Sequence, residues 1–199
     1  MCGRYSFDDD KDIEEIHKIL AEIQATHEGT SIAAKTGEIF PTNNVPVLSL
    51  QGGKPALGLM SWGLPKWDGK GVIINARAES ASQKPTFAKS LAERRCVIPS
   101  TGFYEWRTNP DKSKDKFLFN MHNEPMLYMA AIYSVVKDEK PIPERFAILT
   151  RAANDTIRDI HDRMPVILHK NELVRWLTDA DFVPLILNRD DVNLVKTAV

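Results

Sequence analysis

Apolar residues recur with helical spacing near the start of the chain and with strand-like spacing over most of the remainder. Within residues 9–26, Ile13, Ile16, Leu20 and Ile23 are three or four positions apart. This spacing places them on one side of a helix. The pattern therefore predicts an amphipathic helix packed against the core.

After this helix the chain changes to short runs that are rich in β-branched and aromatic residues and separated by Gly and Pro. Such runs predict β-strands. The predicted strands are residues 45–50, 56–62, 71–74, 96–98, 102–107, 117–121, 126–136 and 146–150. Residues 122–125 have the composition of a hairpin turn, and residues 109–116 are predicted to be a polar loop. Short helices are predicted at 85–93 and 171–177, the second with Asn171 at its N-cap.

Many short strands with a few helices around them predict an α+β fold. We expect one domain over residues 1–199, with a curled, barrel-like, mostly antiparallel mixed β-sheet flanked by helices. A doubly wound α/β fold is disfavoured because helices do not alternate with strands and no glycine-rich phosphate loop follows a strand.

Composition and charge narrow the classes of function. The hydrophobic fraction of 43% and the charged fraction of 27% are typical of soluble proteins. A formal net charge of −1 argues against binding duplex nucleic acid by bulk electrostatics but allows a local basic groove. No apolar run approaches the roughly 18 residues that span a bilayer. We therefore expect a cytoplasmic protein without a membrane partner.

The two cysteines stand in different settings. Cys96 lies within a predicted strand and is expected to be a small buried residue, whereas Cys2 directly follows the initiator methionine. Methionine is ordinarily removed before a small residue, so we expect a mature chain with an α-amine and a thiol on its first residue. The α-amine, with a pKa near 7.7–8.0, forms a Schiff base with an aldehyde more readily than lysine does. The thiol can then close a five-membered thiazolidine ring on the imine. The alternative is a cysteine that occupies position 2 without a chemical role.

Asn75 and Arg77 follow the apolar residues 72–74, where the end of a strand can hold a site residue rigidly. An amide suits the orientation of a polar ligand, and a guanidinium suits a phosphate. Alternatively, Arg77 and Glu79 form a surface ion pair.

Glu105 lies in an aromatic segment, residues 102–107. Strand alternation places Phe103, Glu105 and Arg107 on one face and the aromatic side chains of Tyr104 and Trp106 on the other. Burial raises the pKa of a carboxyl group, so Glu105 is a candidate proton donor near neutral pH. The alternative is a structural ion pair with an arginine.

His161 lies in the polar segment 160–165 and is a candidate proton shuttle at pH 7. Neighbours in sequence usually point apart, so Asp162 is expected not to orient it. The alternative is a hydrogen-bonded structural histidine. Trp67 lies in a turn after Trp62 and is expected to be the more exposed of the two, able to stack on unpaired bases. We expect no metal or cofactor, because no motif with metal-ligand spacing occurs.

Taken together, five segments resemble the SOS-response-associated peptidase family, whose members process abasic sites in DNA. The segments are residues 2–5, 62–64, 75–79, 102–106 and 160–165. The resemblance implies that Cys2 forms a thiazolidine with the aldehyde of a ring-opened abasic site in single-stranded DNA, which shields the lesion from strand cleavage. It also implies a monomer that associates with the nucleoid when it is bound to damaged DNA.

The resemblance further implies roles for individual residues. Glu105 would be the acid and base for ring opening, imine chemistry and reversal of the cross-link, His161 would contact the deoxyribose, and Asn75 would position the N-terminus and the sugar. The residues implied to contact DNA are Arg4, Arg77 and Arg163 on phosphates, Trp67 on bases, and Thr150 near the same pocket. Some members carry a second tryptophan beside the one that matches Trp67, where this chain has Lys66 and Asp68.

Two other classes of function remain open at this stage. One is a cysteine peptidase, including one that removes its own Met1, with Cys2 as nucleophile and His161 as base. The other is a single-strand-binding module without catalytic activity, in which Cys2 is incidental. The substitution Cys2→Ala separates them, because a peptidase would lose its activity and a binding module would not change.

Overall fold

The computed structural model describes residues 2–9, 13–27, 32–137, 141–189 and 191–199. The strands are β1 (Arg4–Phe7), β2 (Gly37–Ile39), β3 (Asn44–Gln51), β4 (Lys54–Trp62), β5 (Leu64–Pro65), β6 (Val72–Ile73), β7 (Asn75–Arg77), β8 (Arg95–Ser100), β9 (Gly102–Thr108), β10 (Lys114–Met121), β11 (Leu127–Val135), β12 (Glu144–Ala152), β13 (Arg163–Pro165), β14 (Ile167–Leu168) and β15 (Leu194–Ala198). The helices are α1 (Glu14–Thr26), α2 (Ala78–Ala81), α3 (Pro85–Glu93), α4 (Leu173–Thr178) and α5 (Val183–Asn188), with a 3₁₀ turn (Lys170–Glu172) before α4.

The larger sheet closes on itself. Its strands run in the order β12, β4, β3, β8 and β11, and β11 pairs back with β12. Strand β12 is parallel to β4 and β7, whereas the pairs β3–β4, β3–β8, β8–β11 and β11–β12 are antiparallel. Closure removes the exposed edges that an open sheet would present. The predicted α+β architecture with a curled, mostly antiparallel sheet is confirmed.

A second, antiparallel sheet has the order β15, β10, β9, β1 and β2. Trp62 from the closed sheet and Tyr5 from the second sheet are fully buried, and their ring centroids are 5.3 Å apart. One cluster of buried apolar side chains includes both. The two sheets therefore share a core at this contact.

Helix α1 packs its apolar side against β3 and β4. Ile16, Ile19 and Ile23 are buried, and Leu20 is partly buried against the same core. Within the predicted range 9–26, residues 10–12 lie outside the described residues, and the helix begins at Glu14. The predicted amphipathic helix is present, because its spacing brings these apolar residues to one face.

Three local predictions were wrong. Residues 122–125 do not form a hairpin, because β10 and β11 belong to different sheets. Residues 114–116, predicted to be loop, lie in β10 and pair with β9. Asn171 is not an N-cap, because the 3₁₀ turn starts one residue earlier and the Glu172 carboxylate accepts the His169 backbone N–H at 2.8 Å. In the first two cases, local composition does not specify which distant backbone the segment pairs with; in the third, neighbouring residues form the cap instead.

Two sets of strand pairs determine where the candidate site residues lie. Strand β1 pairs with β9, so Tyr5 lies opposite Phe103 and Arg4 opposite Tyr104. Strand β12 pairs with β7 and with β13, so Thr150 lies opposite both Arg77 and Pro165. Of the helices in the described ranges, none is both long and apolar enough to cross a membrane.

Candidate functional site

Cys2 lies two residues before the start of β1 and is fully buried. Its backbone carbonyl accepts a hydrogen bond from Asn75 Nδ2 at 2.9 Å, and its thiol donates to the Arg4 carbonyl with an Sγ–O distance of 3.7 Å. Burial raises the pKa of the Cys2 thiol, and the negative charge of Glu105 raises it further. The structure therefore brings Cys2 against Asn75 and places Glu105 close enough to act on its charge.

Glu105 faces the protein interior from β9. Phe103 and Glu105 are buried, whereas Tyr104 and Trp106 are partly exposed, so the burial pattern confirms the predicted alternation for these four residues, while Arg107, predicted on the same face as Glu105, is exposed near the end of the strand. Burial raises the pKa of the Glu105 carboxyl group, and the charge of nearby His161 offsets part of that rise. A carboxyl group with a raised pKa keeps its proton closer to neutral pH, as a proton donor requires.

His161 follows the turn formed by residues 155–160. Its Nδ1 atom accepts the Arg163 backbone N–H at 3.0 Å and lies 2.9 Å from Asp162 Oδ1. The expectation that Asp162 points away from His161 was wrong, because the chain turns tightly here instead of running as an extended strand.

Arg163 is held by Glu79 and Thr150. Its two terminal nitrogens lie 2.6 and 2.9 Å from the Glu79 carboxylate oxygens, and Nη2 donates to the Thr150 carbonyl at 2.6 Å. The hydrogen bond from Arg163 lowers the pKa of Glu79. Glu79 therefore forms its ion pair with Arg163 and not with Arg77, as the alternative had it. Thr150 is fully buried, and its hydroxyl lies 3.5 Å from Arg163 Nη2.

The other residues implied to contact DNA lie in two further places. The Arg4 guanidinium is 3.1 Å from Glu38 and 3.7 Å from the centroid of the Phe40 ring, on the second sheet. Arg77 is exposed on β7, in register with Thr150 and therefore near Arg163. Trp67 is 99% exposed in the turn between β5 and β6. Arg77, Thr150 and Arg163 thus form one group, whereas Arg4 lies on β1 of the second sheet and Trp67 lies in the turn between β5 and β6.

Two buried polar atoms that sequence reasoning did not single out lie on Tyr5 and Asn75. The Tyr5 hydroxyl is buried and has no hydrogen-bond partner among the described residues, and the same holds for Asn75 Oδ1. Buried polar groups without partners are uncommon and often mark a ligand or water site. No sequence signal could have shown this, because a missing partner depends on what the tertiary structure places nearby.

The described residues contain no group of three or more His, Cys, Asp or Glu side chains arranged to hold a metal ion. The side chains gathered around Cys2 instead offer a thiol, a carboxyl group, an imidazole and an amide. Such groups can carry out addition to a carbonyl carbon and move protons during it.

Comparisons with known proteins identify the family. The family model described as SOS response associated peptidase (SRAP) matches residues 1–189. Among similar proteins, the abasic site processing protein YoqW of Bacillus subtilis (strain 168) is 33% identical over 207 residues, which covers 97% of this chain and 89% of YoqW. The abasic site processing protein YedK of Escherichia coli (strain K12) is 30% identical over 179 residues, covering 89% of this chain and 79% of YedK.

Solved structures show the same fold. A crystal structure of a protein from Bacteroides thetaiotaomicron matches with a TM-score of 0.79 and 22% identity, covering 100% of this chain and 92% of that one. A phage-related protein from Bordetella bronchiseptica matches with a TM-score of 0.76 and 22% identity, covering 100% and 94%. With a family model that matches nearly the whole sequence, this chain belongs to the SOS response associated peptidase (SRAP) family.

Proposed function

We propose that this protein processes abasic sites in single-stranded DNA by forming a covalent thiazolidine between Cys2 and the lesion. The observation that carries the proposal is the arrangement around Cys2, in which Asn75 holds the backbone carbonyl and Glu105 lies near the thiol. The names of the relatives, abasic site processing proteins, support the same substrate. The cross-link would protect the lesion during the response to DNA damage.

The reaction joins both reactive groups of Cys2 to one carbon. Once Met1, which lies outside the described residues, has been removed, the free amine attacks the aldehyde carbon of the ring-opened sugar. Loss of water leaves an imine. The sulfur then adds to the carbon of the protonated imine, so that the C–S bond forms, the electrons of the C=N π bond go to the nitrogen and the thiol proton goes to the carboxylate described next.

Glu105 is the group best placed to move protons in both directions. Its raised pKa favours the protonated carboxyl group, which can donate to the departing water. The ionised carboxylate then accepts the proton of the Cys2 thiol, whose own raised pKa disfavours a free thiolate. Reversal of the cross-link needs the opposite transfer. His161 lies close enough to Glu105 for its charge to offset part of the rise in the pKa of that carboxyl group, and it would contact the sugar.

Arginine side chains near the surface would bind the DNA strand on either side of the lesion. Arg77 and Arg163 lie near each other through β7, β12 and β13, and we assign them to phosphates, with Arg4 on the second sheet. Because Arg163 is paired with Glu79, a phosphate must compete with that carboxylate. Trp67 is exposed enough to stack on a base. We propose a monomer over residues 1–199 that associates with the nucleoid when it is bound to damage.

A cysteine peptidase acting through Cys2 is the weaker candidate. Cysteine peptidases depend on a thiolate stabilised by a neighbouring imidazolium. Here burial and Glu105 both raise the pKa of the thiol, which disfavours the thiolate. Peptidase activity is therefore proposed only for the removal of Met1, and lyase activity only as a side reaction of the imine.

Intact mass spectrometry of the purified chain tests the proposal. We expect a mass without Met1, and after incubation with an oligonucleotide that contains one abasic site, a single adduct equal to the sum of both molecules minus one water. The matched control is the same oligonucleotide reduced with borohydride, which has no aldehyde. A chain that retains Met1 yet forms the adduct, or an adduct with the reduced oligonucleotide, would contradict the mechanism.

A further inference from the structure

The outer face of the second sheet carries two cations that share one carboxylate oxygen. Lys116 Nζ donates to Glu38 Oε1 at 2.8 Å, and Arg4 Nη1 donates to the same Oε1 atom at 3.1 Å. The three side chains come from β10, β2 and β1, respectively, if Lys116 is taken first. Two nitrogens that both reach one oxygen are close enough together to contact the oxygens of a single phosphate group.

The strand register explains why these side chains meet. Tyr5 and Ile39 lie opposite each other in the β1–β2 pair, and both are fully buried. Side chains alternate between the two faces of a sheet, so the neighbouring residues Arg4 and Glu38 point to the opposite, outer face. Lys116 joins them there from β10, which lies two strands away from β1.

Aromatic rings support both cations. The Cζ atom of Arg4 is 3.7 Å from the centroid of the Phe40 ring, and Lys116 Nζ is 4.0 Å from the centroid of the Tyr104 ring. The Trp106 ring is near both, at 5.5 Å from Arg4 Cζ and 5.8 Å from Lys116 Nζ. An aromatic face attracts a cation without neutralising its charge. The rings therefore keep both cations in place if the carboxylate moves away.

The carboxylate of Glu38 can be exchanged for another anion. The side chains of Arg4, Lys116 and Glu38 are 30%, 27% and 32% exposed, and ion pairs within reach of water contribute little to stability. Burial acts to raise the pKa of the Glu38 carboxyl group, but the hydrogen bonds and charges of Lys116 and Arg4 outweigh it and lower that pKa. Glu38 is thus a carboxylate at neutral pH. Arg4 has a further donor, Nε, that meets no hydrogen-bond partner in the described part of the chain.

We propose that Arg4 and Lys116 form one phosphate subsite, and that Glu38 occupies it as an internal competitor until single-stranded DNA binds. The inference rests on the proposed function, because it takes the strand that carries the lesion as the ligand. Arg4 is two residues from Cys2, so the subsite holds a backbone phosphate close to the lesion. On binding, the Glu38 carboxylate turns to solvent and the phosphate oxygens accept from both cations.

An internal competitor limits the affinity for undamaged DNA. Displacing Glu38 offsets part of the gain from the phosphate contact, and the freed carboxylate attracts a cation from solution, which reduces the net release of counterions. The protein therefore dissociates readily from an undamaged strand, whereas at a lesion the covalent bond retains it. The inference adds Lys116 to the residues that bind DNA and gives Glu38 a role in limiting that binding.

The test is the affinity for an undamaged single-stranded oligonucleotide, measured by fluorescence anisotropy at a series of salt concentrations. Glu38→Gln should raise the affinity about three- to tenfold and steepen the salt dependence by up to about one counterion, because the cations then bind phosphate without competition. Lys116→Gln should lower the affinity about threefold and reduce the gain from Glu38→Gln when the two are combined. The matched control is Glu14→Gln, which removes an exposed carboxylate paired with Lys18 on α1, and it should change the affinity less than about 1.5-fold.

Unchanged or weaker binding by Glu38→Gln, or a gain no larger than that of Glu14→Gln, would overturn the role of Glu38 as a competitor. If Glu38→Gln does not fold, as judged by circular dichroism, Lys116→Gln alone decides. A loss of about threefold with a shallower salt dependence supports the subsite, and an unchanged affinity overturns it. Because the oligonucleotide has no abasic site, the result does not depend on Cys2. The expected affinities from a chain that forms no adduct with an abasic oligonucleotide would support the subsite and contradict the proposed function.

Discussion

The surroundings of the two cysteines differ in chemistry although their burial is the same. Cys2 and Cys96 are both fully buried, and burial raises the pKa of both thiols. Cys96 lies in β8, in which every residue is buried, and its carbonyl accepts the Trp176 indole N–H at 3.0 Å. For Cys96, burial is the only cause of the shift, whereas for Cys2 the charge of Glu105 is a second cause.

This difference shows what distinguishes a functional site from the hydrophobic core around Cys96. Neither exposure nor thiol acidity distinguishes Cys2 from Cys96 in the folded chain. What distinguishes Cys2 is a carboxyl group within electrostatic reach, an amide that holds its carbonyl, and two buried polar atoms, on Tyr5 and Asn75, that have no hydrogen-bond partner in the described part of the chain. Buried polar atoms without partners cost stability, so their concentration around one cysteine indicates a function.

The largest expected effect comes from deleting each thiol in turn. Cys2→Ala should abolish the heat-stable adduct, because the remaining amine forms only a reversible imine with the aldehyde. Cys96→Ala should keep cross-linking and lower the free energy of unfolding by about 1–2 kcal/mol, because it leaves a small cavity in β8. Denaturing gels after heating and urea unfolding measure the two effects. Wild-type levels of heat-stable adduct with Cys2→Ala would refute the thiazolidine.

Glu105→Gln sharpens the comparison by removing a charge that raises the pKa of the Cys2 thiol and does not contribute to the pKa of Cys96. We expect release of a preformed cross-link to slow by about 100-fold, and more than its formation does, because reversal requires a proton donor. A chase with excess unlabelled abasic oligonucleotide measures the release rate. Equal release rates for Glu105→Gln and the parent would remove Glu105 from this role.

The same substitution predicts a pH dependence of stability. The folded state raises the pKa of Glu105, whereas in the unfolded chain the group ionises near pH 4.3. As pH rises, the unfolded state loses its proton first, so the stability of the parent relative to Glu105→Gln should fall from about pH 4 until the raised folded pKa is passed. Urea unfolding of both proteins at a series of pH values measures this difference. If the stability of the parent relative to Glu105→Gln increased with pH over that interval, the pKa of Glu105 would not be raised in the folded state.

The smallest effect is expected at the ion pair between Glu79 and Arg163, away from the buried Cys2. Glu79 is largely exposed and pairs with Arg163, so Glu79→Gln frees the guanidinium for a phosphate. We expect affinity for single-stranded DNA to rise by about two- to fivefold, with a somewhat steeper dependence on salt. Fluorescence anisotropy with an undamaged oligonucleotide measures both. Weaker binding by Glu79→Gln would show that Glu79 positions Arg163 for DNA instead of competing with it.

Local patterns predicted much of the fold and the orientation of the site residues. The alternation in residues 102–107 placed Glu105 on the face opposite Tyr104 and Trp106, which the structure shows to be the buried face, and the spacing of isoleucines predicted the helix that is α1. These features depend on residues that are close in sequence. The pairing partners of β10 and β11, the contact between His161 and Asp162 and the pairing of Glu79 with Arg163 could not be predicted, because each depends on backbone geometry or on distant segments.

The sequence by itself determined which groups are capable of the chemistry: an amine and a thiol expected on Cys2, a carboxyl group on one face of a predicted strand, and motifs typical of one family. Only the tertiary structure decided that Asn75, 73 positions from Cys2, donates to its carbonyl and that the Tyr5 hydroxyl meets no hydrogen-bond partner among the residues the structure describes. The physical reason is that periodicity sets the direction of a side chain relative to its own backbone, whereas the packing of distant strands sets what that side chain meets.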